Sequence, residues 1–229
     1  MNENENLPAS PANTATAIAT YLNEVEPQTT IGKLLKFTKG EFLLGFDGEI
    51  VPEGAIYTAA CDLALAGFIR WQDGRPAESR LVRIASGDPP VRRENLGHHD
   101  RTKWDADARG EVRDPWQPCM YVPMQSADTG EVVTFTTGSA SGIKSVHRLL
   151  RTYAAHAASH PNEYPSVKLR KSFWLHPEKS IGRVYFPDFE PAGYVDRSDF
   201  CTALAALGVS VDTQPAALPA PKVNDAVPY

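Results

Sequence analysis

Short apolar runs that end at glycine-containing turns are the feature of this sequence that most constrains its fold. Such turns occur at Gly40, Gly74 and Gly130, and each separates two segments rich in β-branched and aromatic residues. The chain also holds 19 prolines, which restrict long helices because proline cannot donate an intrahelical hydrogen bond. The pattern predicts a β-rich α+β fold with antiparallel strands and one main helix.

The turns also predict individual hairpins. Residues 73–76 (DGRP) connect two strand-like runs and predict a hairpin whose loop is longer than the minimal two residues. Residues 128–130 predict a second hairpin, and residues 32–44 are either a strand pair or one long strand bent at Gly40. These segments supply much of a sheet.

Charge is distributed unevenly along the chain. The sequence has 23 Lys and Arg against 28 Asp and Glu, yet residues 142–187 hold eight of those cations and two of those acids, which leaves 15 against 26 elsewhere. Net acidity argues against indiscriminate binding to duplex nucleic acid, whereas a localised cationic segment is typical of a nucleic-acid-binding surface. Residues 142–187 are therefore the first candidate site.

The first half of this segment predicts an amphipathic helix. Apolar residues recur at steps of three and four, and Ser139 or Ser141 can cap the helix N-terminus. The positions predicted to face inward are Ile143, Val146, Leu150, Tyr153, Ala154 and Ala157. The positions predicted to share the outward face are Lys144, Arg148 and Arg151.

The second half predicts a β-hairpin with one cationic and aromatic face. Side chains alternate between the two faces of a strand, and the side predicted to be apolar holds Val167, Leu169, Phe173, Leu175, Val184 and Phe186. The exposed side then displays Lys168, Arg170, Trp174, His176, Arg183 and Tyr185. Lys171 interrupts the alternation, which predicts a bulge or a strand end at that residue.

Cations beside aromatic rings suit single-stranded nucleic acid, because the cations follow the phosphates and the bases stack on the rings. The alternative interpretation is a solvated sheet face on which Trp174 packs under a neighbouring loop. The residues predicted to bind nucleic acid are Lys144, Arg148, Arg151, Lys168, Arg170, Trp174, His176, Arg183 and Tyr185.

Residues 87–118 form a long irregular segment, which is the second place to look for a site. Asp105, Asp107 and Asp114, with His98, would supply ligands for Mg²⁺ in a metal-dependent nuclease. Aspartate is also common in loops because its side chain accepts hydrogen bonds from turn amides, and the spacing matches no metal-binding motif. The sequence favours a protein without catalytic residues, metal or cofactor. Its tryptophans, Trp104 and Trp116, are predicted to anchor the loop to the core.

The cysteines and the first residues bear on location. Cys61, Cys119 and Cys201 are widely spaced and odd in number, which suits a reducing cytoplasm. The first residues lack the basic and apolar regions of a signal peptide, and no run is apolar enough to span a bilayer. We therefore expect a cytoplasmic protein without membrane association.

Composition divides the chain into three parts. Residues 1–30 are polar and predict a flexible N-terminal arm, residues 31–208 predict one folded domain, and residues 209–229, rich in Pro and Ala, predict a disordered tail. Within the domain, Asp196 or Ser198 can cap a short helix that ends near Gly208.

The tail ends with an acid, an aliphatic residue, a proline and an aromatic residue: Asp225, Val227, Pro228 and Tyr229. With the short strands, the central helix and the basic hairpin, this ending resembles the OB-fold single-stranded DNA-binding proteins of bacteriophage replication and recombination modules. The tip of that family carries several acids and ends in Phe, whereas this tail has one acid and ends in Tyr. The stretches GKLLKFTKGEF, DPWQ and TFTTGSASGI are also similar to an uncharacterised protein group of proteobacterial phages and prophages.

The resemblance implies a partly open, OB-like antiparallel β-barrel over residues 31–208 that binds single-stranded DNA in a bacterial or phage-infected cell. It also implies that the tail recruits replication or recombination proteins, and it is compatible with a homo-oligomer. Two alternatives stay open. One is the metal-dependent nuclease, and the other is a non-enzymatic virion-associated or protein-interaction module.

Overall fold

The computed structural model describes residues 30–106, 110–180 and 182–209. Nearly all of the predicted N-terminal arm and nearly all of the predicted tail lie outside the described residues. The same holds for the tail residues Asp225, Val227, Pro228 and Tyr229.

Within the described residues, ten strands form one continuous sheet and two helices accompany it. The strands are β1 Lys33–Thr38, β2 Glu41–Leu44, β3 Glu49–Val51, β4 Ile56–Ala59, β5 Leu65–Gln72, β6 Arg75–Arg83, β7 Trp116–Ser126, β8 Val132–Thr137, β9 Glu163–Leu175 and β10 Arg183–Asp196. The helices are α1 Ala140–Ala157 and α2 Ser198–Ala206. The strand order is β10-β9-β4-β7-β8-β1-β2-β3, and the β5–β6 hairpin joins the sheet where β5 pairs with β7.

The sheet is curled but open, so it forms a half-barrel. The prediction of a β-rich α+β fold is confirmed. One pairing differs from the predicted antiparallel pattern, because β1 lies parallel to β8, with Leu35 beside Phe135. Hairpin signals are local in the sequence, and they carry no information on the pairing of two strands that lie far apart in the chain.

Two-residue turns set the register of two hairpins. Gln72 pairs with Arg75, and the turn residues Asp73 and Gly74 both have positive φ angles, 51° and 73°. This is the backbone that Asp-Gly favours in the tightest hairpins, so the predicted longer loop is wrong. Pro76 belongs to β6, an edge strand in which a missing N–H is tolerated.

The β1–β2 turn is built in the same way. Lys39 and Gly40 have φ angles of 52° and 85°, and Thr38 pairs directly with Glu41. Residues 32–44 therefore form a strand pair, the first of the two predicted alternatives.

Aromatic rings from distant parts of the chain fill the inside of the curl. The Phe135 ring of β8 lies 6.3 Å from the Phe42 ring of β2 and 5.1 Å from the Phe189 ring of β10, and all three side chains are buried. Burial of each ring contributes roughly 1.5–3 kcal/mol. Because β2 and β10 lie towards opposite ends of the strand order, this packing bends the sheet.

Helix α1 begins and packs largely as its periodicity predicts. Ser139 is the N-cap, and its hydroxyl accepts a hydrogen bond from the Gly142 amide at 3.1 Å. Val146, Leu149 and Tyr153 are buried. The expectation that Leu150 and Ala154 define the inward face is partly wrong, because Leu150 is half-buried and Ala154 is exposed. The buried stripe runs through Leu149 and keeps the 3.6-residue period.

A buried ion pair fixes helix α2 to the sheet. An Asp62 carboxylate oxygen accepts a hydrogen bond from the Arg197 guanidinium at 3.2 Å, and its other oxygen accepts one from the Tyr164 hydroxyl at 2.7 Å. The Arg197 guanidinium also lies 4.9 Å from the centre of the Tyr164 ring. Burial, and then the Asp62 charge, raise the pKa of the Tyr164 phenol, so this phenol remains a donor.

We expect Asp62→Asn to lower the free energy of unfolding by about 3 kcal/mol, because the buried Arg197 cation loses its carboxylate. The measurement is urea unfolding followed by circular dichroism. The control is Asp128→Asn, the same chemical change at an exposed turn residue, which should stay within about 0.5 kcal/mol of the original protein. Equal stability of the two variants would contradict the importance of the ion pair.

Candidate nucleic-acid interface

Strands β9 and β10 extend beyond the rest of the sheet as a two-stranded ribbon. β9 pairs with β4 only between Ser166 and Lys168, whereas its pairing with β10 continues to Leu175 opposite Arg183. Residues 171–175 and 183–187, which we call the ribbon, therefore pair only with each other in the part of the chain that the structure describes.

The register divides the predicted binding residues between two faces. Residues directly opposite each other in an antiparallel pair share a face, so Phe173 lies with Tyr185, and Trp174 lies with Val184. The prediction of one cationic and aromatic face is wrong, because Arg183 and Tyr185 lie on the opposite face from Trp174. A shift of one residue in register moves every side chain of a strand to the other face, and alternation within each strand does not fix that register.

Two further expectations for the hairpin are corrected by the same register. Val184 and Phe186 lie on the Trp174 face rather than on the face of Val167 and Leu169. Pairing continues without a shift through Lys171, and the irregularity of β10 lies between Pro191 and Gly193. Leu175 lies on the predicted side, with Val167 and Leu169, but it is 71% exposed. The core ends before the ribbon begins, so side chains on the inner face of the ribbon are not buried.

The first face forms what we call the Trp174 surface. Its members are Lys144, Arg148, Arg151, Lys168, Arg170, Trp174 and His176. The Trp174 side chain is 42% exposed, and its ring lies 5.4 Å from the His176 ring. The Arg148 guanidinium lies 6.0 Å from the ring of Phe186, which places helix α1 beside the ribbon. Lys144 and Arg151 lie one turn to either side of Arg148 on the same helix face.

Acidic residues of β10 neutralise part of the Trp174 surface. Asp188 lies 3.0 Å from the Arg148 guanidinium, and Glu190 lies 2.7 Å from that of Arg170 and 3.9 Å from the Lys168 ammonium. Both acids follow the cationic segment 142–187 directly, so counting charges within that segment missed them. The positions of Asp188 and Glu190 in the sequence do not show which cations they contact.

The contact between Arg170 and Glu190 shifts the pKa of both side chains. The hydrogen bond from Arg170, together with its charge, lowers the pKa of Glu190, and the same contact raises the pKa of Arg170. Glu190 therefore keeps its negative charge to lower pH than a free glutamate would. In the described ranges, Lys144 and Arg151 have no acidic side chain within 4.0 Å, which leaves them available to an anion.

The opposite face forms what we call the Tyr185 surface, which consists of Phe173, Arg183 and Tyr185. The Arg183 guanidinium lies 4.6 Å from the centre of the Phe173 ring, and the Phe173 and Tyr185 rings are 5.9 Å apart. The two rings are 48% and 39% exposed. A Cβ atom at Gly40 would lie 3.2 Å from the Tyr185 ring, so the β1–β2 turn packs closely against this ring.

A groove of about 400 Å³ separates helix α1 from β10 beside the Trp174 surface. Its polar lining includes Ser145, Arg148, Thr152, Asp188 and Glu190. Arg148 can donate to a phosphate, and the carboxylates can accept hydrogen bonds from the amino groups of bases. The groove therefore offers both donors and acceptors to a nucleotide.

The Asp-rich loop is held together by Arg93. Its guanidinium lies 2.6 Å from the Asp114 carboxylate and donates to the carbonyls of Leu96 and His98. Asp114 also accepts a hydrogen bond from the Trp116 amide at 2.9 Å. Asp107 lies outside the described residues. In the described segments, no group of three or more His, Cys, Asp or Glu side chains is placed to hold a metal ion.

The two loop tryptophans differ in burial. Trp116 is 3% exposed, which confirms that it anchors the end of the loop to the core. Trp104 is half-buried, and its indole N–H donates to the His98 carbonyl at 2.7 Å, so it braces the loop internally.

No helix in the described ranges is long and apolar enough to cross a bilayer. Comparisons of the chain with protein-family models, with curated proteins and with solved structures find no match.

Proposed function

We propose that this protein binds single-stranded DNA through the Trp174 surface and is not an enzyme. The observation that supports this most is the exposed Trp174 ring on a projecting ribbon, with Arg148 of helix α1 beside Phe186 on the same face of that ribbon. An unpaired base can stack on such a ring, and base–aromatic stacking contributes roughly 1–3 kcal/mol. A base within a duplex is already stacked and has no free face to offer.

Charge determines how the binding free energy is divided between attraction to phosphates and base stacking. The chain has a formal net charge of −5, and two acids pair with three cations of the Trp174 surface. Lys144 and Arg151 then provide most of the attraction to phosphates. Fewer phosphate contacts mean a weaker dependence of affinity on salt, so stacking carries a larger share of the binding free energy.

The proposal extends to a role in phage-type replication or recombination in the cytoplasm, which rests on the resemblances of the tail and the body of the chain. Replication or recombination proteins are the proposed partners of Asp225, Val227, Pro228 and Tyr229. An OB barrel has five strands, whereas the sheet described for this chain has ten. DNA binding by the ribbon and helix α1 does not require an OB barrel.

A protein-interaction module is the second candidate, and one observation favours it. Phe46 and Ile50 of the β2–β3 hairpin are 98% and 61% exposed, and exposed apolar side chains of this kind often contact a partner. The nuclease alternative has less support, because Asp114 already pairs with Arg93 and the Trp116 amide.

We expect Trp174→Ala to weaken binding to oligo-dT at least about fivefold, since it removes a stacking platform. Fluorescence anisotropy with labelled oligo-dT measures this, at two salt concentrations. Trp104→Ala is the matched control, because Trp104 lies in the distant loop and braces it internally; its affinity should change less than twofold. Equal affinity of the two variants, or a preference of the original protein for duplex, would rule out the proposal.

We expect Asp188→Asn to strengthen binding to oligo-dT about two- to fivefold, because Arg148 is released from its carboxylate while Asn keeps the acceptor for Ser172. The slope of log affinity against log salt should steepen by up to about one ion. Asp128→Asn again serves as the control for the loss of one negative charge. An unchanged affinity for Asp188→Asn would show that Arg148 does not contact phosphate.

A further inference from the structure

Both faces of the ribbon carry exposed rings, although one strand of DNA needs only one face. Trp174 lies on one side, and Phe173 and Tyr185 lie on the other, separated by the thickness of a two-stranded sheet. Leu175, which pairs with Arg183, is 71% exposed on the Tyr185 side at the last paired position of the ribbon. Exposed apolar side chains therefore lie on both faces of the ribbon near its end.

We propose that the ribbon is a wedge that binds the junction between single-stranded and double-stranded DNA. This inference rests on the proposed function, since one unpaired strand would follow the Trp174 surface. The other strand would follow the Tyr185 surface, and Leu175 would contact the last base pair of the duplex.

Each face has its own cations, as two diverging strands require. Helix α1 supplies Lys144 and Arg151 on the Trp174 side. On the other side, Arg183 has no acidic side chain within 4.0 Å in the described part of the chain. Lys39 is exposed in the β1–β2 turn whose Gly40 supports Tyr185. Phosphates on both sides of the ribbon would therefore meet positive charge.

The arrangement of Arg183 also suits a base rather than a protein side chain. Its guanidinium already lies over the Phe173 ring at 4.6 Å, and a flat guanidinium stacks on aromatic groups while its edge binds phosphate. A base that stacks beside Tyr185 would leave this edge directed at the backbone of the same strand.

The test compares three labelled ligands by anisotropy: oligo-dT, a duplex with one dT arm, and a fork with two dT arms of the same length. We expect the fork to bind about tenfold more tightly than the duplex with one arm, because a second strand gains a stacking surface. Phe173→Ala and Arg183→Ala should each abolish this preference. Their affinity for oligo-dT should fall less than that of Trp174→Ala, because Trp174 lies on the other face.

A 2-aminopurine base in the first pair of the fork gives an independent readout. Its fluorescence should change when the original protein binds, because Leu175 contacts this pair, and should change less with Leu175→Ala. Phe173, Leu175 and Arg183 are exposed ribbon residues, so these variants should keep the circular dichroism spectrum of the original.

The outcomes separate the two proposals. If oligo-dT binding depends on Trp174 but the fork binds no more tightly than the duplex with one arm, the wedge is overturned and single-stranded DNA binding stands. A fork preference that survives in both Phe173→Ala and Arg183→Ala also overturns the wedge. If Trp174→Ala leaves oligo-dT binding unchanged, the proposed function fails and the wedge fails with it.

Discussion

The burial of Phe189 inside the curled sheet determines where every side chain of the ribbon points. Phe189 packs against Phe135, and Leu169 lies opposite it on the same face of β9. Because side chains alternate along both strands and the register is uninterrupted from this pair to Leu175, the inward position of one ring fixes all the others. Phe173 and Tyr185 must then lie on the inner side, and Trp174 on the outer. An aromatic contact in the core thus decides which residues form each candidate surface.

Strands β9 and β10 are held by polar contacts of two different kinds. Near one end of β9, the buried Asp62–Arg197 pair and the Tyr164 hydroxyl connect the strand to helix α2. Further along, exposed Arg148 connects helix α1 to Asp188 of β10. Breaking a buried pair costs several kcal/mol, whereas an exposed pair contributes at most about 1 kcal/mol. The first contact is therefore suited to holding the fold, and the second can be exchanged for a phosphate without loss of the fold.

Local chemistry was readable from the sequence, and long-range geometry was not. The hairpin positions at Gly40 and Gly74, the Ser139 cap and the exposed cations of helix α1 follow from residue preferences within a few positions, although the loop predicted at residues 73–76 was longer than the Asp73-Gly74 turn that forms. The division of the hairpin cations between two faces follows from Leu175 pairing with Arg183, which depends on the core contact of Phe189. The neutralising acids Asp188 and Glu190 could have been found by extending the charge count a few residues, and only the pairing shows which cations they meet.

In the proposed DNA binding, the acids on the outer face would favour single strands over duplexes. Long-range attraction to phosphate acts on both forms of DNA alike, so a surface dominated by free cations would bind both. Here Glu190 pairs with Lys168 and Arg170, and the chain carries a net charge of −5. Both features weaken the attraction to phosphate that single strands and duplexes share. In the proposed binding, stacking on Trp174, which requires an unpaired base, would then carry a larger share of the binding free energy. Partial neutralisation would lower the affinity for DNA as a whole while raising the fraction of it that depends on strand separation, and a ribbon with rings on both faces would apply that selectivity to each strand.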